Sequence, residues 1–316
     1  MILNTGNRTD IPAFYKEWFY QRIKEGYVLV RNPYQPNQVS RYTINPDIID
    51  VICFCTKNPA PMIPELDAIQ KYKQLWYVTI TPYEKEIEPF VPKKQIVMDS
   101  FCHLAERVGR NSTIWRYDPI FLSEKYTLEY HIDIFEKMSE KLSGYTNKCV
   151  ISFIDLYEKT KRNFGNVKEV TRPEQVKLAV ELKRIADKYK LKLYACAEKE
   201  WLGDYGIDIS GCMTKEVMEA SLDIQLDIPK SKQRMSRESC SCLLGNDIGA
   251  YNTCMHGCLY CYANYDRSSV LQNQKLHDPK SPFLIGTQRP EDIIKQSKQE
   301  SYIQNQIKLP FVTYDF

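Results

Sequence analysis

Three cysteines in the segment NTCMHGCLYCYAN, Cys254, Cys258 and Cys261, stand at C-x3-C-x2-C spacing. Thiolates this close together, on a short irregular loop that contains Gly257, can reach three corners of an iron–sulfur cube from one side. Three ligands leave the fourth iron open, and an open coordination position separates a reactive metal centre from a closed structural one. That iron could take a small chelating molecule. The same residues also admit a structural zinc loop, which needs a fourth nearby ligand, with His256 and Cys242 the candidates.

The chain has 11 cysteines in 316 residues, and six of them fall between Cys212 and Cys261. Cys240 and Cys242 lie in a polar, aperiodic stretch where a packing role for cysteine is weak, and their spacing lets both thiolates face one metal. With Cys196, at the end of an apolar run, and Cys212, in SGCM, they make four, enough to close a second 4Fe-4S cluster. A four-cysteine zinc site is the alternative, and so is a plain apolar role for Cys196 and Cys212. Cys53 and Cys55 alternate along a strand pattern, Cys102 sits in a helical pattern and Cys149 starts a strand. All four read as inert core residues.

The elements that must position these groups alternate. Apolar, β-branched runs occur at Met1–Leu3, 49–54 (IDVICF), 75–80 (LWYVTI), 113–116 (TIWR), 149–154 (CVISFI), 191–196 (LKLYAC) and 247–251 (DIGAY). Helical patterns stand between them at 12–24, 63–71, 92–106, 128–142 and 173–189, and YVLVRNPYQPNQVS at 27–40 reads as a hairpin or long loop. Strand followed by helix predicts a parallel α/β sheet or barrel covered on both faces. In a barrel the chemistry sits at the carboxyl ends of the strands. The residues there are Arg8 and Asp10, Lys57 and Asn58, Arg116 and Asp118, Asp155 and Tyr157, Glu198 and Lys199, and then the cysteine loop. Of these, the Arg116-Tyr-Asp118-Pro stretch is the best candidate for a site, with a structural Arg–Asp pair as the alternative.

The cysteine loop, with Tyr260 just before its last cysteine, resembles the signature of the radical SAM superfamily. The longer string CMHGCLYCYA is similar to the spore photoproduct lyase branch, and the exit CYANY fits such a loop better than a zinc site. The resemblance implies that the open iron binds the amino and carboxylate groups of S-adenosylmethionine, which is cleaved to a 5′-deoxyadenosyl radical. It also implies an electron donor such as flavodoxin or ferredoxin, and Tyr260, Lys57, Arg116 and Asp118 as contacts around the cofactor. Members of the superfamily usually carry the loop near the amino terminus, whereas here it begins in the last quarter of the chain. A circular permutation accounts for this. Residues 247–251 become the usual first strand, 290–301 its helix and Met1–Leu3 the second strand. Arg8 and Asp10 then become candidates to hold the carboxylate and ammonium of S-adenosylmethionine. The alternative is a salt-bridged helix start with Asp10 as the N-cap before Pro12. From NRTDIPAFY through VRNPY, TKNP and WRYDP to the cysteine loop, the chain also resembles a bacterial family catalogued only as a domain of unknown function.

The expected fold is therefore an α/β, circularly permuted, radical-SAM-type partial (β/α) barrel of about six to eight strands. One domain would span 1–316, with a cysteine-containing loop at 227–246 and the cluster loop, a helix and a tail at 247–316. Composition fits an ordinary globular protein at 43% hydrophobic and 26% charged residues. The net charge of +3 spreads over 43 basic and 40 acidic residues and calls for no nucleic-acid partner. The 22 tyrosines and four tryptophans fall mostly in apolar runs and read as core. No base-reading motif appears, so the likeness to the photoproduct lyase branch tilts the substrate only slightly toward nucleic acid. No export signal and no membrane span appear, which places the expected protein in the cytoplasm. Two function classes stand side by side: a radical enzyme on an unnamed substrate, and a non-catalytic, cysteine-rich zinc or iron–sulfur module, with contact to nucleic acid open to it.

Overall fold

The computed structural model describes residues 1–156, 158–164, 167–229, 242–243 and 246–304. In chain order the elements are β1 (Ile2–Asn4), α1 (Ile11–Phe14), α2 (Lys16–Glu25), β2 (Tyr27–Arg31), β3 (Gln38–Thr43), β4 (Val51–Thr56), β5 (Gln74–Thr79), α3 (Lys94–Val108), β6 (Thr113–Ile120), α4 (Leu128–Leu142), β7 (Lys148–Phe153), α5 (Glu158–Phe164), α6 (Arg172–Lys188), β8 (Lys192–Ala195), α7 (Lys215–Leu222), β9 (Asn246–Asp247), α8 (Arg267–Lys275) and β10 (Ile293–Gln296). Two 3-10 turns, Ile63–Ile69 and Glu200–Tyr205, complete them.

Each apolar run read from the sequence supplies a strand of one seven-stranded sheet in the order β8-β7-β6-β5-β4-β1-β9. Every pairing in it is parallel. Both faces are covered, which is why the strands are near-continuously apolar. On one face Phe54, Trp76 and Trp115 pack against Trp18 and Phe19 of α2, Phe135 of α4 and Leu178 and Leu182 of α6. The other face turns Val51, Cys53, Tyr77, Val150 and Tyr194 toward Val217 and Met218 of α7, with Leu226, Cys242 and Leu243. Residues one apart on a strand thus serve opposite cores.

The expected neighbourhood of the first and last strands is present: Leu3 and Asn4 pair in parallel with Asn246 and Asp247. The last strand is shorter than 247–251. Asp247 accepts the Gly249 amide at 2.8 Å and the Asn7 amide at 2.8 Å, which turns the chain out of the ladder and pins the loop after β1 to it.

The hairpin at 27–40 is realised by β2 and β3. The expected helix at 290–301 is not. Ile293–Gln296 instead forms β10, parallel to β3 at the edge of a three-stranded sheet. PEDIIKQSKQES holds only two adjacent apolar residues, which cannot make a stripe of helical period, whereas β-branched Ile293 and Ile294 suit the open hairpin edge. The helix that follows the cysteine loop is α8, N-capped by Asp266, which accepts the Ser269 amide at 2.8 Å. Most of the expected loop at 227–246, Cys240 included, lies outside the described residues, as does Tyr157. Among the described residues no helix is long and apolar enough to cross a membrane.

Candidate metal centre

The carboxyl ends of all seven strands of the larger sheet line one cavity of about 290 Å³. Gly6, Asn7, Thr9 and Asp10 contribute from β1, Cys55 to Lys57 from β4, Thr79 from β5 and Arg116, Asp118 and Pro119 from β6, whereas Arg8, a candidate for the wall, is off it. Ser152 to Asp155 follow from β7, Cys196 from β8, and Cys254, His256, Cys258, Tyr260 and Cys261 from the loop after β9. Gly6 has no space for a side chain, because a Cβ there would collide with the backbone of Cys55.

The cysteine loop is fastened on both flanks. Phe90 donates its amide to the His256 carbonyl at 3.1 Å, and Leu259 donates to Ile87 at 3.0 Å. Asn252 bonds Ala263 across the neck at 2.9 Å, and Asn264 donates to the Cys254 carbonyl at 2.6 Å. Gly257 is needed twice over: its φ is +69°, and a Cβ would press to 2.9 Å from the Phe90 ring. Burial pushes the Cys258 thiol up to about 12 even with the Lys57 ammonium pulling it down, so a bare thiol there keeps its proton.

Asp10 is buried, and its carboxylate accepts three N–H groups. The Ala13 amide at 3.0 Å makes it the N-cap of α1, the Lys57 amide at 2.8 Å ties it to the end of β4, and His256 Nε2 at 2.8 Å ties it to the cysteine loop. His256 Nδ1 is buried without a protein partner. The Arg8 guanidinium stands 5.7 Å over the Tyr251 ring.

Behind the loop lies a carboxylate that the sequence did not flag. Glu88 is buried and takes the Lys57 ammonium at 2.8 Å, the Lys94 ammonium, the Tyr260 hydroxyl and the Thr81 hydroxyl at 2.7 Å. Burial alone would raise its pKa, but the two lysines outweigh that and hold it at about 2. In the run YEKEIEPF one more acid looks like solvated surface, so only the fold distinguishes it.

Across the cavity Arg116 bonds Asp118, which also takes the Ser152 hydroxyl, and Arg116 Nη1 lies 3.6 Å from the Cys212 sulfur. Cys196, Cys212 and Cys242 are gathered so that their sulfurs all lie within 4.8 Å of one another. Cys55, expected as inert core, lines the cavity, while Cys53, Cys102 and Cys149 are buried. Asp155 is on the wall, and Asn58, Glu198 and Lys199 are not. Glu198 instead accepts the Phe153 amide at 2.6 Å, and burial, with Asp155 and Asp118 nearby, raises its carboxyl to about 8.

No curated protein matches the chain. A family described as Domain of unknown function (DUF1848) matches residues 2–263, a span that begins at β1 and ends just past the cysteine loop, taking in the whole cavity wall. The chain belongs to that family.

Proposed function

We propose that the chain is a radical enzyme that holds a 4Fe-4S cluster through Cys254, Cys258 and Cys261, binds S-adenosylmethionine in the adjoining cavity, and has the fold of a permuted partial (β/α) barrel. The observation that carries the reading is the convergence of seven strand ends and three loop thiols on one cavity. In a flat sheet, strands six spacings apart would be roughly 29 Å from each other, too far for β8 and β9 to share so small a space. Curvature of the sheet supports the barrel.

The donor set fits the group. Three cysteines on one fastened loop offer soft ligands to three irons, and the loop supplies no fourth thiol. When bound, the cluster and S-adenosylmethionine supply a one-electron cleavage that yields a 5′-deoxyadenosyl radical, chemistry beyond any side chain in the cavity. The chain's own residues hold and shield. Asp10 fixes His256 and so the first half of the loop, and Glu88 fixes Tyr260 and so the second half. Lys57 places a positive charge beside Cys258, which favours its thiolate form. Arg116, Asp118 and Ser152 offer donors and acceptors on the wall that β6 and β7 build. A second hollow, of about 680 Å³, lies on the outer side of the loop, with Cys254 and Cys258 on its wall beside Phe90 and Arg267. That short distance from outer surface to thiols suits electron delivery by a separate donor protein such as flavodoxin or ferredoxin.

The test is anaerobic reconstitution with iron and sulfide. The expected result is four irons per chain bound through the loop and, after reduction, conversion of S-adenosylmethionine to 5′-deoxyadenosine and methionine. Replacing the three loop cysteines with alanine removes both. A wild-type chain that takes up zinc at the loop and shows no iron–sulfur absorbance overturns the reading and leaves a structural metal module.

A further inference from the structure

The second group of cysteines differs from the first in its geometry. Cys212 Sγ lies 3.4 Å from Cys196 Sγ and 3.5 Å from Cys242 Sγ. Among the described residues no other trio of His, Cys, Asp or Glu ligand atoms is gathered within 4.8 Å, so the loop cysteines stand wider apart. Thiolates on a single tetrahedral ion, with bonds of about 2.3 Å, are about 3.8 Å from each other. Thiolates of an iron–sulfur cube each bond a different iron and must be wider. The compact trio matches a single ion, and the open trio matches a cube.

The surroundings match as well. The Met213 amide donates to the Cys242 sulfur at 3.3 Å, and Arg116, held by Asp118 through Nε and Nη2, turns Nη1 to the Cys212 sulfur at 3.6 Å. Three thiolates around a divalent ion carry one net negative charge, which these donors offset. Gly211 has φ +113°, where glycine is favoured, and a Cβ on it would press to 3.0 Å from the Thr214 methyl and touch the Cys242 sulfur at 3.5 Å, so the turn before Cys212 runs directly beside the group. Three neutral thiols would gain little from the same arrangement, since S–H is a weak donor and sulfur a weak acceptor.

We propose that Cys196, Cys212 and Cys242 bind one soft divalent cation, zinc by the sulfur spacing, and that this ion clasps the two edges of the seven-stranded sheet. Cys196 directly follows β8, one edge strand, and Cys242 comes four residues before β9, the other. Cys212 precedes α7, which fills the inner face between them. Binding replaces the thiol protons with the cation and releases them to solvent, with no change of oxidation state. The fourth coordination position belongs to a group outside the trio. The site stands independently of the cluster reading, because it shares no ligand with the loop.

The experiment uses the full chain carrying Cys254→Ala, Cys258→Ala and Cys261→Ala, purified anaerobically, offered Zn²⁺, and assayed for zinc, iron and sulfide. The expected result is one zinc per chain and no iron. Cys196→Ser added to that background lowers zinc affinity at least about 10-fold, as does Arg116→Gln, which touches no backbone of the site. Cys196 is only half-buried, so its serine variant keeps the native circular dichroism when Cys212→Ser does not. Co²⁺ in place of Zn²⁺ shows thiolate-to-cobalt charge transfer that Cys196→Ser removes. Four irons with sulfide in the triple variant overturn the single-ion site, and so does a chain that retains no zinc after exposure to it.

Discussion

A carboxylate facing two ammonium groups in a nearly dry site cannot be neutralised without leaving both short of a partner. Glu88 has 1% side-chain exposure, and Lys57 and Lys94 have 13% and 18%. Glu88→Gln should therefore lower the unfolding free energy by about 3 kcal/mol, at the low end for breaking a buried pair because the lysines keep some water. Urea unfolding measures it, and a change below about 1 kcal/mol would show that water replaces the carboxylate. Tyr260→Phe removes one hydrogen bond to a charged group and should cost about 1.5 kcal/mol while leaving iron uptake intact. The sign of the pH effect follows from the depressed Glu88 value of about 2: its contribution is fully present above about 4.5 and is lost as pH falls through 2. Of the residues around the thiols, the cysteines, Asp10, Lys57, Arg116 and Asp118 were legible from type and position at strand ends. Glu88 and Lys94 were not, because their roles come from side chains that meet only after β4, β5 and the loop after β9 are assembled.

At the scale of elements, α4 is held to β6 by a buried histidine. His131 Nδ1 meets the Tyr117 hydroxyl at 2.8 Å and Nε2 meets the Phe121 carbonyl at 2.9 Å, so the neutral ring, with its proton on Nε2, satisfies both. Burial lowers its pKa from 6.5 to about 4, with the Phe121 carbonyl opposing the shift. Between those values the unfolded chain binds a proton that the folded chain does not, so stability rises with pH across this window and is lost as pH falls toward 4. The full effect is about 3 kcal/mol. His131→Gln should flatten the slope of unfolding free energy against pH between 4 and 6.5, and an unchanged slope would assign the acid sensitivity to other groups. The elements themselves were mostly legible, since apolar runs of strand length and helices with a wide apolar stripe declare themselves by period. The misses share a cause. Glu158–Phe164, Lys215–Leu222 and Arg267–Lys275 are short, and the last buries only Val270. Residues 293–296 took their strand form from the free edge of β3, a partner more than 250 positions away in the chain.

For the whole molecule the question, in the barrel reading proposed above, is what keeps the parallel sheet curved so that its edge strands β8 and β9 approach each other. The middle strands need no help: β4, β5 and β6 each have strand neighbours on both sides and apolar cores on both faces. The seam is different. β9 offers two paired residues to β1, and the cysteine loop that follows Ile248 depends on loop contacts and, in the reading above, on metal at the two cysteine groups. Local opening free energies follow burial and pairing, so amide hydrogen exchange should divide the chain. In protein stripped of metal, residues 246–264 should exchange fastest among those that line the cavity, and 51–56, 74–79 and 113–117 slowest. Zinc alone should slow 194–196, 211–214 and 242–250 without reaching 254–261, because its three ligands tie those segments together. Iron and sulfide should then slow 252–264, and only when the loop cysteines are present. Each ligand can protect only the segments whose opening would release it, by the logarithm of its concentration over its dissociation constant. If metal-free protein already protects 246–250 as strongly as β5, packing alone closes the seam and the clasp is superfluous. If zinc slows exchange uniformly across all seven strands, the sheet opens as a single unit and the edges hold no separate role.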